Sequence, residues 1–174
     1  CRRQRQMCIR DRAWALSSTV VWANGDQIIG SWVTPDDKAV VEIYQQEGQY
    51  FGKFISLKEP NYGADMQVEG LEGQPKVDRK NPDVTQHEQP IVGLVMLQGM
   101  AYTVSKQGKQ TWQGGTIYDP SNGKSYKCTI KLNADGTLDL RGYIGISLFG
   151  LSQTWRPQQG LSLIHISEPT RRSA

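Results

Sequence analysis

Polar and apolar residues alternate one by one through much of the chain, most clearly in residues 125–132. Tyr126, Cys128, Ile130 and Leu132 fall on one side of an extended segment, and Ser125, Lys127, Thr129 and Lys131 fall on the other. A side-chain period of two marks a strand with one dry face and one wet face. Tight turns bracket it. Asp119-Pro120-Ser121-Asn122-Gly123 puts Asp first in a type I turn, Pro with its preset φ second, and Gly where φ turns positive. Asn133-Ala134-Asp135-Gly136 repeats that chemistry. With residues 134–136 as a three-residue loop and Gly136 in its left-handed position, Leu132 faces Leu138, Ile130 faces Leu140 and Tyr126 faces Ile144. On the wet face Lys131 then meets Asp139, and Lys127 meets Tyr143. A two-residue turn would set Leu132 against Asp139 and mix the buried and solvated sets. The three-residue loop is therefore predicted. The hairpin before it admits two loops: residues 120–123, which suits Pro120, or residues 121–123, which turns Trp112 toward the core.

Elsewhere the pattern gives a meander of short antiparallel strands. Residues 27–33 are predicted as a first strand, 35–38 as a turn, 39–44 as the return strand, 46–48 as a second turn and 50–57 as a third strand. Residues 58–90 break the rhythm with charge, Gly and Pro, and loops of that length in compact domains are usually functional or mobile. Residues 91–97 form a continuous apolar run, either a buried strand or one turn of helix, and residues 102–105 complete or extend it. Residues 148–155 supply a closing strand. The fold class is all-β: a single antiparallel meander of about eight strands closing into a small barrel. That is the strand number at which a closed barrel holds one small ligand or is filled by side chains.

The two ends do not follow this pattern. Met7-Cys8-Ile9-Arg10-Asp11 can be encoded by DNA whose reverse complement encodes Leu161-Ser162-Leu163-Ile164-His165, so both ends are explained by one short inverted repeat. Residues 1–12 and 161–174 resemble translated adapters from transposon-based sequencing libraries, and are set aside as foreign to the natural protein. The other reading is a genuine basic arm and tail. The choice changes the charge. The chain carries 20 basic and 17 acidic residues, net +3; removing the seven arginines and two carboxylates of the ends turns this to −2. The case for a nucleic-acid partner disappears with them. Cys1, Cys8 and His165 go too. Cys128 and His87 remain, too few for a thiolate or histidine metal cluster or for a disulfide.

Residues 13–23 include an apolar run too short to span a bilayer. It ends in Val21-Trp22-Ala23, with small residues where a signal peptidase reads, followed by polar Asn24-Gly25-Asp26. This is read as the tail of a secretory signal peptide, the alternative being a buried first strand. On that reading the mature barrel domain spans residues 24–160 and works in the periplasm or outside the cell. Its free Cys128 is then a small core residue rather than a reactive thiol.

Candidate chemistry is sparse. His87 sits in a polar loop with no neighbouring Ser, Cys or second His. Asp78, Asp83 and Glu88 are a carboxylate group beside Lys80, or simply solvent-facing turn residues. Residues 133–136 share features with a calcium loop but lack its later glutamate and fit a hairpin bulge better. Gly114-Gly115 lies inside a strand pattern, where glycine marks a bulge or close backbone contact rather than a phosphate cradle. Arg141 and Tyr143 line a pocket or sit on the wet face. No Ser-His-Asp, Cys-His or zinc-type spacing occurs. No enzyme is indicated, and no cofactor or metal is expected.

Several ordered motifs carry a resemblance. They are Gly30-Ser31-Trp32, Thr34-Pro35-Asp36, Gly52-Lys53, Lys80-Asn81-Pro82-Asp83 and Gly93-Leu94. They continue with Trp112-Gln113-Gly114-Gly115-Thr116-Ile117-Tyr118-Asp119-Pro120, Gly123-Lys124-Ser125-Tyr126, Leu140-Arg141-Gly142-Tyr143-Ile144-Gly145 and Thr154-Trp155-Arg156. On these, residues 28–156 resemble the bacterial family called domain of unknown function 2147, which implies a small exported protein of undetermined activity. The loop at residues 61–74 is longer than the family's pattern. A second resemblance is to lipocalin-like barrels, which pair a Gly-x-Trp on the first strand with an arginine near the last. Gly30, Trp32, Trp155 and Arg156 then close the barrel, with the guanidinium lying across the Trp32 indole; a buried Trp packing the barrel end is the simpler alternative.

Two functions remain. One is a binding module that holds a small hydrophobic or amphipathic ligand among Val41, Ile43, Phe54, Ile130 and Leu140, with residues 58–90 as a lid. The other is an envelope module whose barrel is filled and whose loop or strand edge engages another protein. A hydrolase would need two carboxylates converging in one cleft.

Overall fold

A computed structural model of the protein describes residues 24–63, 70–145 and 150–158. The adapter-like segments, the signal-peptide-like residues 13–23 and part of the long loop at 61–74 lie outside the described residues. Among the described residues, eight strands run in order: β1 Gly30–Val33, β2 Ala39–Gln46, β3 Gln49–Leu57, β4 Val95–Val104, β5 Gln110–Asp119, β6 Lys124–Leu132, β7 Leu138–Tyr143 and β8 Gly150–Pro157. Each pairs antiparallel with the next, and β8 returns to β1. Trp32 lies opposite Pro157 and Val33 opposite Arg156. Closure leaves no edge strand unpaired.

The β6–β7 hairpin has the predicted register. Leu132 pairs with Leu138, Lys131 with Asp139, Ile130 with Leu140 and Lys127 with Tyr143. Gly136 takes φ 82 in the three-residue loop. The expected Tyr126–Ile144 pair does not form. The β6–β7 ladder stops at Tyr143, Ile144 is 68% exposed, and Tyr126 pairs with Ile117 on β5.

Asp119 pairs with Lys124, so the β5–β6 loop is residues 120–123, as Pro120 favours. Trp112 is nevertheless fully buried. The β5 register shifts by one residue between Gln113 and Thr116, and this bulge turns Trp112 inward despite the even-length loop. The 121–123 loop is therefore not formed; Trp112 faces inward because of the bulge at Gly114 and Gly115, and not because of a shorter loop.

Two predicted strands begin later than the sequence suggests. Asn24–Ile28 forms a 3-10 turn, and β1 starts only at Gly30, whose φ of 138 redirects the chain. Ile28 is needed elsewhere: it is wholly buried in the core. Likewise residues 91–94 form a turn, with the Leu94 N–H donating to the Ile91 carbonyl (3.1 Å) before β4.

The barrel has unlike ends. One is plugged by the 3-10 turn. Trp112 Nε1 donates to the Gly25 carbonyl (3.0 Å), the Tyr50 hydroxyl to the Asp26 carboxylate (2.9 Å) and Trp32 Nε1 to the Ile28 carbonyl (2.8 Å). A Cβ on Gly25 would lie 2.3 Å from the Tyr50 hydroxyl, so the plug fits only with glycine there. Above it, Val41, Ile43, Leu97, Met100, Ile130 and Leu138 fill the interior without exposure. The other end is open.

Candidate ligand cavity

The open end holds a cavity of about 1050 Å³. Its wall comes from inward positions near the strand ends: Ala39, Phe54, Met96, Ile117, Leu140 and Trp155. Polar and charged groups gather at the rim, on the β1–β2 connection, the start and middle of the long loop, and the β5–β6 turn. A mostly apolar recess with a few polar groups at its mouth is the usual form of a small-molecule site.

Of the five residues named from sequence, Phe54 and Leu140 line the cavity. Val41, Ile43 and Ile130 sit deeper, at 0% exposure, in the filled half behind the plug. They face the same barrel interior, but the structure does not bring them to the cavity. Met96, Ile117, Tyr126 and Trp155, which sequence reasoning did not place there, do line it. Tyr126 was legible as an inward residue. What the alternation lacked was which end of the barrel is hollow.

The four closure residues take different parts. Gly30 supplies the positive φ at the start of β1, and Trp32 and Trp155 are buried at 5% and 1% exposure. Arg156 follows Trp155 and so points to the outer face, where its guanidinium pairs with Asp37. It joins the last strand to the β1–β2 connection from outside and does not cover the Trp32 indole. That connection needs a fastener: Asp36 and Asp37 have φ of 59 and 55, a conformation aspartate tolerates better than most residues. Among the described residues, the cation–π contact is Lys53 over Tyr44, 5.5 Å from the ring centroid.

The described residues 70–90 of the long loop dock against the open end through Asp78. This carboxyl group is fully buried. Oδ1 accepts from the Tyr118 hydroxyl on β5 (2.9 Å), and Oδ2 from Asn81 Nδ2 (2.8 Å). Lys80 Nζ donates to the Ser121 carbonyl (2.6 Å). Burial, then the Asp78 carboxylate, pushes the Tyr118 hydroxyl up to about 12. Asp78 is thus a latch that ties the loop to the β5–β6 hairpin, and not a solvent-facing turn residue. Asp83 is engaged separately: its side chain accepts from the Thr85 hydroxyl and N–H, which hold its carboxyl below the usual carboxylate range. His87 Nε2 lies 2.8 Å from the Asn81 carbonyl.

Asp135 likewise accepts from Thr137 inside the β6–β7 loop. Cys128 is buried, and burial alone pushes its thiol up to about 12, which suits a packing residue rather than a nucleophile. Among the described residues, no three His, Cys, Asp or Glu side chains gather to hold a metal ion. No helix among them is long and apolar enough to cross a membrane.

An eight-stranded antiparallel barrel, plugged at one end and open at the other, has the lipocalin-like architecture. A solved structure described as "Protein HP1028 from the human pathogen Helicobacter pylori belongs to the lipocalin family" is similar, with a TM-score of 0.59 at 23% sequence identity. The match covers 76% of this chain and 83% of that one. At such identity the likeness is one of fold. Residues 30–156 match the family described as "Uncharacterized protein conserved in bacteria (DUF2147)", and the chain belongs to that family. No curated protein matches it.

Proposed function

We propose that this is a non-enzymatic binding module that carries a small hydrophobic or amphipathic molecule in the open half of its barrel. The observation that carries this reading is the apolar cavity of about 1050 Å³, sealed below by a fully packed layer. A barrel serving only as a protein-interaction surface has no use for an unfilled end, because an interior void forfeits the contacts its lining would otherwise make. The described parts of the long loop, through Lys58, Glu59 and Lys76, border the mouth and act as its lid. The apolar run at residues 13–23, ending in small residues, supports export to the periplasm or beyond.

The reading is tested by titrating the protein with N-phenyl-1-naphthylamine, a neutral probe that fluoresces in apolar surroundings. Saturable binding is expected. Ala39 lines the cavity and is 6% exposed, so Ala39→Trp fills the cavity and weakens binding about tenfold or more, a loss of roughly 1.4 kcal/mol. Circular dichroism checks that the variant folds. Absence of saturable binding by the unaltered protein, or equal binding by a folded Ala39→Trp variant, contradicts the reading.

A further inference from the structure

Lys76 differs from the other charged residues around the cavity. Lys38 and Asp36 also line the mouth, but they pair at 3.3 Å with both side chains 76% exposed, where water weakens any charge interaction. Asp119 accepts from the Ser121 N–H and Asn122 Nδ2 in its own turn. Lys76 lines the cavity with a side chain only 17% exposed. Its backbone is fixed on both sides: its N–H donates to the Pro60 carbonyl (2.8 Å), and its carbonyl accepts from the Ile91 N–H (3.0 Å). The bridges Asn61–Pro75 and Val77–Pro90 flank it. A long flexible cation is thus anchored at its root and held against an apolar recess.

Its partner is placed differently. Lys76 Nζ lies 3.3 Å from Glu59 Oε2, but the Glu59 side chain is 75% exposed. The glutamate can withdraw into water at little cost, while the lysine stays at the cavity wall. This asymmetry suits exchange of one anion for another.

We propose that the ligand is a single-chain anionic amphiphile, whose alkyl chain enters the cavity and whose carboxylate or similar anionic head takes the place of Glu59 on Lys76. This rests on the binding-module reading and names its ligand class. A charge-assisted hydrogen bond at a half-buried cation contributes about tenfold or more in affinity. An exposed cation such as Lys58 contributes far less.

Dodecanoate and dodecan-1-ol, of equal chain length, distinguish the head from the tail. Each is used at pH 8 to displace N-phenyl-1-naphthylamine. Dodecanoate is expected to bind about tenfold tighter than the alcohol. Lys76→Met keeps the aliphatic stem and abolishes that preference, leaving alcohol binding unchanged; Lys76→Arg restores it. Glu59→Gln removes the competing carboxylate and tightens dodecanoate alone, and Lys106→Met, at an exposed turn residue outside the cavity lining, changes neither ligand more than about twofold. If both ligands bind and Lys76→Met leaves their ratio as it was, the assignment of Lys76 is overturned while the binding module stands. If neither ligand nor probe binds, the binding reading fails and this inference fails with it.

Discussion

Three side chains, Tyr50, Tyr118 and Cys128, are kept neutral well beyond their ordinary range. Desolvation leads in each case, and the two tyrosines also face the carboxylates of Asp26 and Asp78. All three are pushed up to about 12, from 10.0 for the tyrosines and 9.0 for the thiol. The sign follows from proton linkage. Between the unfolded and folded pKa values the native state holds protons that the unfolded chain has released, so unfolding gains as pH rises. Their contribution is fully present below about pH 9 and is lost progressively toward pH 12. Urea midpoints should therefore hold between pH 7 and 8.5 and fall steeply above pH 9.5, and Cys128→Ala should flatten the first part of that fall. A midpoint independent of pH up to 11 would contradict the burial assigned to these groups. Little of this was legible in the sequence. Cys128 was, because it sits between Tyr126 and Ile130 on an alternating strand. Asp78 was not: its burial depends on Tyr118, forty positions away, and no local pattern records such a pairing.

At the scale of elements, alternation and turn chemistry carried most of the outcome. The β6–β7 register followed from a period of two and one glycine, since a slip would have exchanged the faces. Where the structure departs from the pattern, a glycine or a plug intervenes. Gly115 is one such case. A Cβ there would lie 2.2 Å from the Gln98 carbonyl oxygen and 2.6 Å from the Met100 sulfur. The β4 and β5 backbones approach so closely at the bulge that no side chain fits between them. Gly115→Ala should destabilise the protein by at least about 2 kcal/mol, as overpacking a strand contact does, measured by urea denaturation. Its φ is not in the positive range, so the cost comes from the clash itself; a change below about 0.5 kcal/mol, the level of an ordinary surface substitution, would show that β4 and β5 sit farther apart. The first strand starts late for another reason. Ile28 is apolar and adjacent to strand residues, so it reads as strand, yet it is withdrawn to plug the barrel end. Periodicity cannot separate a strand's first residue from a cap that folds back over it.

At the scale of the molecule, closure was foreseeable from strand count, but the division into a packed half and a hollow half was not. Val41, Ile43 and Ile130 alternate inward just as Phe54 and Leu140 do. Their fates differ because Trp112, Tyr50 and the 3-10 turn fill one end, and sequence position along a tilted strand does not announce which end receives them. The hollow half is the central claim, and occupancy tests it most directly. Native mass spectrometry of the protein released from bacterial cells by osmotic shock should show, beside the mass of the polypeptide, a discrete added mass that organic extraction removes and that returns on adding an alkyl carboxylate. A bare polypeptide mass in repeated preparations, unchanged by any added amphiphile, would contradict the account.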